Sequence, residues 1–340
     1  MVCQLDVHNR LLMENIMQNR ITQILGTEKP LVQGPMSWVT NAEFVAAVSN
    51  AGGLGVLGPN AGQTEMTADP IETAERMRRE IQKTKALTDK PFGVNLAPNP
   101  DQSKDPWTRP ILDVIKQEKV SAVVWMGVGG GTVLPDIFAE LKEAGIKIIF
   151  RAITPTIENT RKAEQAGADI IVATGFDEGG LMPEKAIGTF AIVPMIVDAA
   201  KNVPVMAAGG IADSRTAKAA FALGAEGIFV GTALLATIEN PAHERVKQGI
   251  INSNADDLLL FKAPPTYARS LAGSLPQKLV EMTQNGAEDA EFGKAMAGLS
   301  GFGAGMMQGD FDKGWGCIGL GIGSIHEIKS VKEVIDDLLA

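Results

Sequence analysis

Two glycine-rich stretches, Ala207-Ala208-Gly209-Gly210-Ile211-Ala212-Asp213 and Val230-Gly231-Thr232-Ala233, each close a short apolar run. Glycine lets backbone N–H groups come close to an anion, and a helix that starts just beyond adds further unpaired N–H donors. The pair could therefore cradle a phosphate between Gly209, Gly210, Gly231 and Thr232. Arg151 ends another apolar run, and a guanidinium is costly to bury unless an anion meets it. The competing reading is an ordinary salt bridge to Glu158 or Glu178. Asp177, Glu178 and Glu184 gather around Gly179-Gly180; held in a site, such acids could move protons, whereas loop carboxylates are ordinarily solvated. The histidines, His8, His243 and His326, fall outside these clusters. The two cysteines, Cys3 and Cys317, have no partner at metal-ligand spacing, so no metal site is expected.

These groups need a frame that brings strand ends together. Eight apolar runs recur along the chain: Pro30–Met36, Gly53–Gly58, Phe92–Ala97, Ala122–Gly127, Lys147–Ile153, Asp169–Gly175, Pro204–Gly210 and Gly227–Thr232. Between them lie helical patterns such as Ala42–Asn50, Pro70–Leu87, Pro110–Glu118, Leu134–Ala144, Ile157–Ala166 and Ser214–Leu223. Several end on a glycine that can adopt the left-handed turn and drop the chain into the next strand. Eight strand–helix pairs predict an α/β fold, a (β/α)8 TIM barrel, with the chemistry at the strands' C-terminal ends. The glycine stretches then follow strands seven and eight, where such barrels bind phosphate. The expected organisation is an N-terminal helical arm over 1–20, a barrel over 21–253 and a helical extension over 254–340 packed on the catalytic mouth. Strand-like runs are not expected after Asn240, and a last helix is expected over Glu327–Leu339.

The ordered set Gln33-Gly34-Pro35-Met36, Phe92-Gly93-Val94-Asn95-Leu96, Glu178-Gly179-Gly180 and the paired stretches above resembles the nitronate monooxygenase (2-nitropropane dioxygenase) family, which includes flavin-dependent enoyl-acyl-carrier-protein reductases. The resemblance runs from about Ile21 to Met307-Gln308-Gly309-Asp310. It implies FMN, with flavin contacts at Gly34, Pro35, Met36, Asn95 and Gly179, phosphate contacts at Gly180, Gly209, Gly210, Gly231 and Thr232, and a polar contact from Gln308. Asn95 offers a donor and an acceptor to the flavin's edge, and Met36 an adaptable apolar surface. Arg151 would stabilise the negative charge that reduced flavin develops.

One position departs from the pattern. Family members commonly carry a His directly after the glycine pair as base or proton donor; here the chain reads Gly179-Gly180-Leu181-Met182-Pro183. A neutral nitroalkane must lose its α-proton to a base, whereas a preformed nitronate is already an anion. The expected activity is therefore oxidation of small alkyl nitronates with dioxygen. The alternatives are an NAD(P)H-dependent enoyl-thioester or quinone reductase, with Glu178, Asp177 or Glu184 as substitute donor, and a flavin-binding protein without catalysis. Trp38, Trp107, Trp125 and Trp315 could line an aromatic pocket, with core burial the rival reading.

The 340 residues carry 31 Lys and Arg against 40 Asp and Glu, a net charge of −9, which argues against nucleic acid or an anionic membrane as partner. The first 20 residues lack a signal-peptide core, and no uncharged run reads as a membrane helix; a cytoplasmic enzyme is expected. Nothing in the sequence sets the oligomeric state, and a homodimer is left open.

Overall fold

The computed structural model describes residues 19–128 and 130–340. Eight parallel strands, β1 (Leu31–Gln33), β2 (Gly55–Leu57), β3 (Phe92–Leu96), β4 (Ala122–Gly127), β5 (Lys147–Ala152), β6 (Ile170–Thr174), β7 (Val205–Ala208) and β8 (Gly227–Val230), pair in sequence order. β1 returns to pair with β8, with Val32 opposite Phe229. A bridge between Val32 and Leu54 joins β1 to the foot of β2 and closes the ring. Helices cover the outside, so the fold is the (β/α)8 barrel expected.

Because successive strand side chains point to opposite faces, two cores form. Val32, Val56, Val124, Ile149, Val172, Met206 and Phe229 fill the barrel. Their neighbours Leu31, Leu57, Val123, Ile148, Ile171 and Ile228 face the helices. The helix Arg20–Leu25 plugs the N-terminal end with Ile21 and Leu25, which belong to the inner core. It is fixed by Asn19, whose side chain accepts from the amides of Ile21 and Thr22. The N-terminal end is thereby sealed and the C-terminal end is left for the site. The rest of the expected arm, residues 1–18, lies outside the described residues.

The expectation of an extension without strands is corrected. β9 (Leu259–Ala263) and β10 (Thr266–Ser270) form an antiparallel hairpin, Phe261 opposite Ala268. Two five-residue strands carrying Lys262 and Arg269 give too little apolar alternation to stand out as strands. Beyond the hairpin come helices Ser274–Gln284, Asp289–Met296, Gly298–Gln308 and Val331–Leu338. The last starts later than Glu327 because Ser330 caps it, accepting from Glu333 N–H. A barrel helix, Thr189–Ala199, was also unassigned; it contains Pro194, which breaks the usual helical pattern. No described helix is long and apolar enough to cross a membrane.

Candidate functional site

The alternation that fills the barrel also aims its top layer inward. Asn95 follows Gly93 by two, Met126 follows Val124 and Arg151 follows Ile149, and the register sets Asn95 beside Val124 and Met126 beside Arg151. These residues line a cavity of about 370 Å³ at the C-terminal mouth, together with Gly34–Ser37, Glu178–Leu181, Ala208–Ala212, Phe229, Gly231 and Thr232. The extension closes it with Leu299, Phe302, Met306, Trp315 and Cys317.

One end of the cavity is bare backbone. Gly209 and Gly210 take φ values of +108° and +69°, a region that suits glycine. A Cβ on Gly209 would lie 2.7 Å from Thr189 Oγ1, while one on Gly231 would meet nothing nearer than Met36 Sδ at 4.0 Å. Gly231 therefore faces open cavity. Thr232 opens the short helix Thr232–Leu235, whose first N–H groups have no intrahelical acceptor. Thr232 Oγ1 accepts from Gly319 N–H at 2.9 Å, pinning this turn to the extension.

The other end is polar and buried. Asn95 is 5% exposed, and neither its Nδ2 nor its Oδ1 has a partner; Thr174 Oγ1 and Glu178 Oε1 are likewise unpaired. Buried polar atoms normally find partners; Thr174 lies outside the lining, but the orphaned atoms of Asn95 and Glu178 face the cavity and point to a bound group that meets them. A flavin fits on both counts: its ring edge alternates donors and acceptors to suit Asn95, and its phosphate suits the glycine end.

Arg151 is 7% exposed and its Nη2 donates to Glu178 Oε2. It does pair with Glu178, but inside the cavity wall, not at the surface. Burial pushes the Glu178 carboxyl above the usual range, against the pull of Arg151 and Arg269. Arg269, from the hairpin, donates to the backbone carbonyls of Glu178 (2.9 Å) and Phe176 (2.6 Å), and so positions the loop after β6. Asp177 is turned away, accepting from Thr189 N–H, and Glu184 is exposed. Among the residues lining the cavity Glu178 is the one carboxylate.

Of the candidate residues, Gly34, Pro35, Met36, Asn95, Arg151, Glu178, Gly179, Gly180, Leu181, Gly209, Gly210, Gly231 and Thr232 all line this cavity. Gln308 is the exception and is corrected: it is exposed at the end of its helix. Phe302 and Met306 hold the inner face, and a residue two beyond Met306 lies about 200° further round. The idea of four tryptophans at the mouth is also corrected. Only Trp315 lines the cavity; Trp125 packs edge-on against Phe138 at 4.8 Å on the outer side of β4, Trp107 is partly exposed, and Trp38 is buried behind the site. Neither described histidine is in the lining: His243 caps a helix by accepting from Arg245 N–H and His326 is exposed. Residues missed from sequence are Met126, Cys317 and the Leu299, Phe302, Met306 stripe, whose i, i+3, i+7 spacing was a readable signal. The Cys317 thiol is pushed up by burial and by the nearby Glu178 carboxylate. Among the described residues no cluster of three or more His, Cys, Asp or Glu is placed to hold a metal.

A family model for nitronate monooxygenase matches residues 18–340. A probable nitronate monooxygenase of Staphylococcus haemolyticus (strain JCSC1435) is 33% identical over 278 residues, covering 71% of this chain and 74% of that protein. Among solved structures, FabK from Thermotoga maritima matches with a TM-score of 0.81 at 33% identity over 95% of both chains. Nitroalkane oxidase from Streptomyces ansochromogenes matches with a TM-score of 0.75 at 25% identity, over 94% of this chain and 97% of that one. With that match across nearly its whole length, and with a cavity at the mouth of the barrel, the chain belongs to the nitronate monooxygenase family and is an oxidoreductase.

Proposed function

We propose that the protein is an FMN-dependent oxidoreductase that oxidises small alkyl nitronates with dioxygen. One observation carries the choice of substrate. The cavity holds a buried cation, Arg151, but its one carboxylate is engaged by that cation, and Leu181 stands where a free base would be needed. Such a site can hold an anion, and its one carboxylate, with Oε2 on Arg151, is not a free base to create one. Bound flavin would supply the two-electron acceptor. The chain's own residues do the rest. Gly209, Gly210, Gly231 and Thr232 offer N–H groups to its phosphate, Asn95 meets the ring edge, and the loop Gly34–Met36 packs against it. Arg151 keeps N–H groups beyond its bond to Glu178, and these can hold the nitronate oxygens or the charge of reduced flavin.

A second reading, an NAD(P)H-dependent enoyl-thioester or quinone reductase, is favoured by the likeness to FabK. It requires Glu178 to hold a proton for delivery to carbon, which the upward push on its carboxyl by burial would assist.

Rates on nitroethane supplied neutral and as preformed nitronate separate the readings. General base catalysis contributes about 10²–10⁴-fold, so the nitronate should be faster by that order. Leu181→His, at the cavity rim, should narrow the gap. Equal rates would mean that a base is present after all, and NADH-dependent reduction of an enoyl thioester without nitronate turnover would establish the second reading.

A further inference from the structure

Trp38 is buried and takes φ +67°, a conformation that is an outlier for a bulky residue. Val39 N–H donates across it to Ser37 carbonyl at 2.8 Å, the three-residue turn of the rarer, strained hand. Strain of this kind persists only where the surroundings over-determine it. Here they do: Trp38 N–H donates to Pro59 carbonyl at 2.9 Å, and its indole Nε1 donates to Leu299 carbonyl at 2.9 Å.

That indole bond joins two walls of one cavity. Trp38 follows the loop Gly34–Ser37, which lines it from β1, and Leu299 lies in the first turn of helix Gly298–Gln308, which roofs it. Ala297 and Gly298 are both left-handed, with φ of +50° and +51°, and separate the helix from the preceding one; Trp315, whose N–H donates to Gly301 carbonyl at 3.2 Å, holds the same end from the side away from Trp38. The cavity face of the helix carries Leu299, Phe302 and Met306. Leu299 and, on the opposite rim, Leu181 remain 40% and 38% exposed. Two large apolar side chains left open beside a mouth are surface that an apolar occupant would cover.

We propose that Trp38 is a positioning residue that latches helix 298–308 over the mouth, so that Leu299, Phe302 and Met306 form a fixed apolar wall for the alkyl tail of the substrate. The substrate class is then narrower than small nitronates in general: a nitronate bearing an extended apolar chain. The tail rests on the reading under Proposed function; the latch does not.

Trp38→Phe keeps a ring and loses the indole donor, and two measurements on the FMN-loaded protein test it. Hydrogen exchange of the 298–308 amides should quicken by at least about tenfold, with the barrel strands unchanged, because the latch closes a local opening. Across nitronates from nitroethane to 1-nitrohexane, wild-type kcat/KM should climb by up to about fourfold per methylene, the gain from burying each CH2. In Trp38→Phe that gradient should flatten, with the loss in KM and not in kcat. Unchanged exchange overturns the latch, and a wild-type gradient that is flat, or that survives in Trp38→Phe, overturns the apolar wall. If no nitronate is turned over, the functional reading fails and exchange alone decides the latch. Should Trp38→Phe fail to fold, the wild-type protein serves: exchange of the Trp38 indole N–H, bonded to Leu299 carbonyl, should keep pace with that of the 298–308 amides, because one opening frees both. Indole exchange much faster than that of the helix amides would overturn the latch.

Discussion

Arg151 is in the cavity because its strand alternates, two places beyond Ile149 in the inner core, and Glu178 is there because the hairpin's Arg269 fixes the loop that carries it. The first cause was legible: a charged residue at the end of an apolar run must point either inward or outward, and inward demands an anion. The second was not, since Glu178 and Arg269 are 91 residues apart. Burial, which raises the Glu178 carboxyl against the pull of both arginines, makes stability depend on pH. A carboxyl whose folded pKa lies above its unfolded value holds a proton that the unfolded chain has released. Its contribution is greatest below the ordinary carboxylate range and falls as pH rises through the raised pKa. The urea midpoint of wild type should therefore decline across that window, and Glu178→Gln, neutral throughout, should flatten the decline. A variant with the wild-type slope would show that Glu178 ionises as an ordinary surface carboxyl does.

At the scale of elements, the eight barrel strands were readable because each apolar run is bounded by glycine or proline, and the helices between them begin on caps such as Asn41, Asp69, Thr156 and Asp213. The hairpin was hidden by its charges. Gln308 was misplaced because a motif carries no helical phase, whereas the phase of Leu299, Phe302 and Met306 shows which face turns inward. The phosphate cradle is the element most open to test. Gly231 has a negative φ, −113° with ψ −79°, and open space before its α-carbon, so Gly231→Val should still fold, with a stability loss of about 1 kcal/mol. Its side chain would stand where the phosphate must sit and block charge-assisted N–H contacts worth roughly 1.5–3 kcal/mol. FMN affinity, measured by fluorescence titration of the flavin-free protein, should drop by about tenfold or more. Wild-type affinity in that variant would remove the phosphate from this end of the cavity.

For the whole molecule, the division of labour follows from where the two cores stop. The inner core and the plug helix seal the N-terminal end of the barrel, and the extension roofs the other, leaving one polar layer of Asn95, Arg151 and Glu178 between them. The unpaired polar atoms of Asn95 and Glu178 face that layer, and together with the glycine end they suit the flavin proposed above. Identification of the chromophore released from the purified protein on denaturation tests this most directly. The protein should be yellow and release FMN in a ratio approaching one per chain. Release of FAD, or a colourless protein that takes up no added FMN, would contradict it.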